Sequence, residues 1–437
     1  MTGTGLKNLF PVESIPLREG EPFVINKEDL GTGKIDFQEL MPTIHVPFIL
    51  RNRDNDEVII FVGEHKIYHF KNAGELEKLS DAILSDGFPD NNLPRFVCSI
   101  KFPGELDNGQ PRISGKIIEP LGVLSINSES ITGILYDNDS AESEPVLLDT
   151  LKSVIEMVTD SSLIKIDNES DLSSILLKSI AENKADWDSG FFQAMNGFST
   201  GEYKKIVLSR KRDYGMSGEL SVVSLWNKIR GLKQSNYKFV INLHDRLLFG
   251  SSPERLFKKE GSTIYTEALA GTFIDDDSDP DREKNYYEHI LVRDHIFAQL
   301  KGTASRIQYP DSPKIRKYEK INHYLTPITA VTESVCSYID FLKLLFPTPA
   351  TAGYPVNSVI NKIAEIESYQ REYYAGLTGI VRGNGDAEFF VNLRCGQVKN
   401  DMISFYAGCG IVEGSESEKE YTESELKMKT MMSLFGL

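Results

Sequence analysis

EFFVNLRCGQVKNDMISFYAGCGIVEGSESEKEYTESELKMK, running from Glu388 to Lys429, is the stretch from which the rest of the chain can be read. FFVNLRCGQV and MISFYAG are apolar and rich in Val, Ile, Phe and Tyr, with the polar Asn400-Asp401 between them. They read as two strands joined by a turn. Gly408-Cys409-Gly410 follows, and a backbone without side chains at 408 and 410 can approach a ligand and offer it N–H groups. The segment then becomes helical and acidic. Glu420, Glu423 and Lys427 fall at i, i+3 and i+7, on one helix face. Adjacent carboxylates repel unless a cation lies between them. Exposed N–H groups, Arg394 at a strand end and a face suited to a divalent metal point together to a small polyanionic ligand.

The simpler reading of an acidic helix is a solvated face. Two glycine patterns fail as nucleotide sites. After Gly408 and Gly410 the third glycine is Gly414, not at position 413 as a dinucleotide fingerprint needs. Before Gly33-Lys34, position 28 is Glu28 where a phosphate loop needs glycine.

With 437 residues, 40% hydrophobic and 10% aromatic, the chain can bury a large core in one α+β body or in two or three average domains. A net charge of −16 argues against nucleic acid, which requires a basic face. It also means that an anionic ligand must be met by local cations or a metal. Cys98, Cys336, Cys395 and Cys409 are far apart and form no CxxC pair, as expected of reduced thiols in a cytoplasmic protein. No basic-then-apolar leader opens the chain and no apolar run reaches the length of a membrane span.

Residues 1–175 alternate short apolar runs (TIHVPFIL, VIIFVG, RFVCSIKF, GVLSI) with Gly, Pro, Asn and Asp turns, a pattern that predicts meandering antiparallel sheet. SESITGILYDNDSAESEP reads as a hairpin and LLDTLKSVIEMV as a short amphipathic helix. From about 170 the texture changes. LSSILLKSIAENKADWDSGFFQAMNGFSTGEY reads as helices before a glycine turn, and KKIVLSRKRDY as a strand with Lys205, Val207 and Ser209 on one face. A lysine at a strand entrance is ordinarily a solvated edge charge. YKFVINLHD, RLLFGSSPERLF and TIYTEALAGTF predict further strands, with Glu254 just after a Ser-Ser-Pro turn. NYYEHILVRDHIFAQLKG predicts a helix with Glu288, Leu291, Val292 and His295 on one stripe. A Pro/Gly-punctuated loop, LLFPTPATAGYP, precedes the helix VNSVINKIAEIE.

KKIVLSR, FGSSPERL, TEALAGT, EHILV, FPTPATAGYP, REYYAG, FFVNLR, YAGCGIV and EKEYTESELK occur in one order over residues 200 to 430. That series resembles the chorismate-utilising enzymes, a family that includes isochorismate and salicylate synthases and the large components of anthranilate and aminodeoxychorismate synthases. The resemblance implies a single α+β domain like the anthranilate synthase large component. Two facing, mostly antiparallel β-sheets would carry outer helices, with residues 1–175 as the β-rich part and 176–437 as the chorismate-binding region. It implies that Glu288 and Glu423 hold Mg2+, with Glu420 adding a ligand directly or through water, in keeping with the preference of Mg2+ for oxygen. The cation would bind the ring carboxylate of chorismate. Tyr374 and Arg394 resemble the pair that grips the enolpyruvyl carboxylate. Gly408 and Gly410 would offer amides to a carboxylate, Lys427 would add a cation, and Gly271, Thr272, His323 and Ala350 would line the substrate site.

Within the family, the resemblance is closest to isochorismate synthases of the menaquinone type. Isochorismate formation adds water at one ring carbon and expels hydroxyl from another, so it needs a base and an acid. Lys205 stands where water-using members keep lysine and would have to be neutral to act as base. Glu254 is the matching acid and would have to stay protonated through desolvation. Ala270 replaces the lysine that aminodeoxychorismate synthases use as nucleophile. Ala350 stands where salicylate synthases, which also expel pyruvate, tend to carry threonine. A non-catalytic chorismate-binding homologue would be expected to lose Lys205, Glu254 or a metal carboxylate, and all are present. A water-using enzyme has no need of an amidotransferase subunit, and a monomer is expected.

Overall fold

The computed structural model describes residues 23–26, 48–85, 92–127, 130–136, 172, 175–180, 184–218, 220–273, 282–317, 322–333 and 336–437. The predicted helix at 147–158, the Gly31–Lys34 stretch and the acidic residues 275–281 lie outside these residues. Among the described residues, no helix is long and apolar enough to cross a membrane.

The strands begin with β1 (Phe23–Asn26), β2 (Phe48–Arg51), β3 (Val58–Phe70) and β4 (Pro94–Ile100). A two-residue pair, β5 (Leu106–Asp107) and β6 (Gln110–Pro111), is followed by β7 (Gly115–Ile126), β8 (Ser130–Leu135) and β9 (Leu176–Ser179). Then come β10 (Lys205–Ser217), β11 (Tyr237–Asn242), β12 (Leu247–Ser252), β13 (Arg255–Glu260) and β14 (Thr263–Phe273). The series continues with β15 (Ala304–Gln308), β16 (Lys314–Lys317), β17 (Asn322–Thr332) and β18 (Gly353–Tyr354). It ends with β19 (Leu377–Arg382), β20 (Ala387–Val391), β21 (Cys395–Lys399) and β22 (Met402–Ile411). The helices are α1 (Ala73–Ser85), α2 (Lys184–Ser199), α3 (Val222–Arg230), α4 (Arg282–Lys301), α5 (Tyr338–Leu345), α6 (Val356–Ile366) and α7 (Ser417–Met432).

Among the described residues, twenty strands form one hydrogen-bonded network. One half runs β10–β22–β21–β12–β11–β2–β3 and the other β4–β19–β20–β13–β14–β17, with β7 paired to both β3 and β4. The register of β3 on β7 shifts between Glu64 and Lys66, opposite Pro120, which is where a strand can pass from one layer to another. The expected two facing sheets are therefore one antiparallel sheet folded over.

Alternation along the strands explains why they read as continuous apolar runs. Phe48 and Leu50 of β2, and Tyr237, Phe239 and Ile241 of β11, enter a central core with Val97 of β4, Ile380 of β19 and Phe390 of β20. The intervening Ile49 and Val240 face an outer cluster with Trp226 of α3 and Met428 of α7. Phe96, Cys98, Phe389 and Val391 face a second outer cluster, covered by α1, α4 and α5. Helices α2 and α6 pack against the central core through Trp187, Phe191, Val359 and Ile360.

Three sequence expectations are corrected. Leu176–Ser179, read as helix, is strand β9 and pairs with the end of β10; a short apolar run does not distinguish the two by periodicity. FFVNLRCGQV is two strands, because Arg394 takes a φ of +46° and breaks the run between β20 and β21. The buried stripe of α4 is Asn285, His289, Val292, Ile296 and Leu300, so Glu288 and His295 flank it instead of sharing it.

Candidate active site

A cleft enclosing about 700 Å3, open mouth included, lies where β10, β14, β22, α4 and the Pro253 and Ala350 loops meet. That size suits a small molecule. Glu254, Gly271, Thr272, Glu288, His323, Ala350, Tyr374, Arg394, Gly408, Gly410 and Lys427 all line it. Lys205, Glu420 and Glu423 do not line it: Lys205 pairs with the lining Glu288 and Glu423 with the lining Lys427, whereas Glu420 pairs with Lys284, which does not line the cleft either.

Lys205 is not an edge charge: its side chain is fully buried. The ammonium lies 2.9 Å from Glu288 Oε1 as an ion pair, yet it makes no well-angled hydrogen bond among the described residues. A buried donor with unfilled hydrogen-bonding capacity is costly unless a ligand completes it. The pair fits because residue 410 is glycine. A Cβ there would fall 2.2 Å from Glu288 Oε1 and 2.9 Å from Lys205 Cε.

Gly408 and Gly410 sit at the open edge of β22. The β21 ladder stops at Phe405, so beyond that point β22 is paired only on the β10 side. Opposite them, Ser209 N donates to Glu367 Oε1 and Val207 N to Ala352 O, so these amides point away from β22. The pairs Ser209–Gly408 and Val207–Gly410 are therefore the non-hydrogen-bonded kind, and both glycine amides face outward. Lys427 Nζ donates to Gly408 O on that same edge, 3.0 Å away.

Gly271 forms the bulge in β14 that re-aims Thr272. Its φ is +74°, and a Cβ would come within 2.2 Å of Asn285 O, so only glycine lets α4 approach and bring Glu288 in. Thr272 Oγ1 lies 3.2 Å from His323 Nδ1. Burial, reinforced by the charges of Arg394 and Lys427, pushes the His323 pKa well down, so its imidazole is neutral. Tyr374 stacks on Tyr406 with centroids 5.2 Å apart.

Glu254 follows Pro253 at the end of β12. Burial and the neighbouring charge of Glu267 push its carboxyl up to about 8, against the opposing pull of Lys205. It is a protonated carboxylic acid at neutral pH.

On α7, Glu420 and Lys427 are not a solvated face. Glu420 is buried and ion-paired to Lys284 of α4 at 2.6 Å, while Glu423 pairs with Lys427. Burial and the charge of Glu423 push the Glu420 carboxyl upward. Among the described residues no three Asp, Glu, His or Cys groups converge as metal ligands. Glu288, Glu420 and Glu423 nevertheless supply carboxylate oxygens, the donor type a hard cation takes, and they are ion-paired to Lys205, Lys284 and Lys427.

Sequence reasoning overlooked Lys284, although it stands four residues before Glu288 on one helix face, and Tyr406, although it alternates with Gly408 and Gly410.

A family profile described as "Chorismate binding enzyme" matches residues 48–436. The chain belongs to that family. Isochorismate synthase MenF of Bacillus subtilis (strain 168) is 31% identical over 264 residues, covering 58% of this chain and 56% of that protein. The alignment thus spans little more than half the length of that relative. Among solved structures, MenF, the menaquinone-specific isochorismate synthase from Escherichia coli, is similar with a TM-score of 0.73 and 22% identity, over 96% of each chain. Anthranilate synthase component I from Streptococcus pneumoniae TIGR4 gives 0.66 at 18% identity, over 92% of this chain and 94% of that one. Both likenesses establish the α+β fold of the chain.

Proposed function

We propose that this chain is a Mg2+-dependent isochorismate synthase, converting chorismate to isochorismate for menaquinone or siderophore synthesis. The observation that carries the reading is a buried lysine and a protonated carboxylic acid at one cleft: Lys205 in contact with Glu288 of its wall, and Glu254 in the wall itself. Lys205 takes a proton from the water that adds at C2, and Glu254 gives its proton to the hydroxyl leaving C4, so the net change is isomerisation. To serve as base, Lys205 must give up its pairing with Glu288, which is one of the carboxylates assigned to the cation. Glu288, Glu423 and Glu420 would hold Mg2+, which when bound supplies positive charge for the ring carboxylate. Arg394 and Tyr374 grip the enolpyruvyl carboxylate, the Gly408 and Gly410 amides receive a carboxylate, and neutral His323 sits beside the ring.

Incubating the purified protein with chorismate, with and without Mg2+, and separating the products tests this. Isochorismate without pyruvate, formed only with Mg2+, is the expected result. Salicylate with stoichiometric pyruvate would replace the reading with salicylate synthase and show that Ala350, beside Thr351 in the wall, does not mark the stopping point. Bound but unconverted chorismate would indicate a non-catalytic member.

A further inference from the structure

The segment Pro253-Glu254-Arg255 is clasped from outside the cleft by groups that the proposed chemistry does not use. Arg53, just after β2 and 200 residues upstream, donates from Nη1 to Pro253 O at 2.6 Å. The same guanidinium forms a two-pronged pair with Glu267 of β14, Nη1 to Oε1 and Nη2 to Oε2, both at 2.6 Å. Glu267 Oε1 also accepts from Arg255 N at 3.0 Å, and Arg316 of β16 donates to Pro253 O at 2.9 Å. Val391 N donates to Glu254 O at 3.0 Å. The Arg53 and Glu267 side chains are only 4% and 6% exposed. A buried ion pair of this kind is weak evidence for a stabilising role and needs another reason to be there.

We infer that the Arg53–Glu267 pair is a positioning device for the acid Glu254, fixing the peptide on either side of it and setting the electrostatic field at its carboxyl. The inference rests on the assignment of Glu254 as the acid. The groups facing Glu254 are Lys205 from β10, Glu267 from β14, Arg53 after β2 and the Thr348 hydroxyl. Arg255 and Arg316 bound the same cage through the contacts above. Arg53 holds Glu267 in its charged form, pulling its carboxyl below the usual range despite burial. A fixed carboxylate beside Glu254 favours the proton-bearing acid, and a fixed guanidinium opposes it.

The two partners therefore have opposite signatures. Glu267→Gln removes the anion and leaves Arg53 uncompensated, and both changes make Glu254 a stronger acid. Arg53→Gln leaves Glu267 held as the anion by Arg316, 3.8 Å away, and by the Arg255 amide, and so makes Glu254 a weaker acid. The test is the pH profile of kcat for isochorismate formation in the wild type, in each variant and in Glu254→Gln. The alkaline limb should move down by about one pH unit in Glu267→Gln and up by a similar amount in Arg53→Gln. Limbs that stay in place or move the same way would overturn the inference, since a merely structural role lowers the rate without opposite displacements. If a single variant does not fold, the double variant Arg53→Met/Glu267→Met leaves no unpaired buried charge. Its limb should still move down, because Glu267 acts on Glu254 more strongly than Arg53 does, and an unmoved limb overturns the inference there too. Absence of isochorismate from the wild type, or full activity in Glu254→Gln, would refute the assignment of function instead.

Discussion

Lys205 keeps its ammonium fully buried, 2.9 Å from Glu288, and that placement makes its removal informative. Lys205→Ala should lower turnover by about 10²- to 10⁴-fold, the usual worth of a general base. Chorismate binding measured by calorimetry should survive, because Arg394, Tyr374 and the glycine amides are untouched; full turnover would remove Lys205 from the mechanism. For Glu254 the sign follows from its raised pKa. The carboxyl carries its proton below about 8, so wild-type activity should hold through neutral pH and fall as pH rises through about 8. Activity rising across that range would contradict its role as an acid. At this scale the motif residues were legible through the ordered series of motifs that resembles the family, since Lys205 by itself reads as an edge charge. Arg53 and Glu267 were not. RNRDND reads as a polar turn and Glu267 as one more residue of a strand, and only the fold brings them 2.6 Å apart.

Helix α7 carries Glu420, Glu423 and Lys427, and it is moored to β10 by groups on its other side. Arg210 donates to Ser424 Oγ at 2.6 Å, pairs with Glu425 at 2.7 Å and lies 3.5 Å over the Tyr421 ring; Arg212 takes Glu425 with both prongs. Arg210→Ala should cost about 2 kcal/mol in urea unfolding, within the range for hydrogen bonds to charged groups. It should also weaken turnover, since the site carboxylates ride on the same helix. Unchanged stability and turnover would show that packing alone holds α7. The helix and the two strands before it were readable from apolar runs and spacing. The break at Arg394 was not, because β-propensity carries no signal for one residue at positive φ.

Across the whole molecule, Phe390 of one layer stacks on Tyr237 of the other, with centroids 4.8 Å apart and planes 8° from parallel. Phe390→Ala should cost about 3–5 kcal/mol. Trp187 sits in the central core and Trp226 in an outer cluster, and they are the only two tryptophans in the chain. Read in single-tryptophan backgrounds, both should report the same lowered midpoint if the folded-over sheet unfolds as one unit. Separate midpoints would mean that the layers melt independently. The antiparallel texture of the early strands was visible in the sequence. Their joining to the later strands, β2 to β11 and β4 to β19, was not, because long-range pairing leaves no local trace. Arg53 gives that joining a practical meaning. The residue lies in the early part of the chain, but its guanidinium ends on Pro253 and Glu267 in the later part. The two parts are thus not interchangeable modules. A chimera that grafts the early strands of one relative onto the late region of another would inherit a mismatched clasp around its acid, even with every motif residue of the cleft in place.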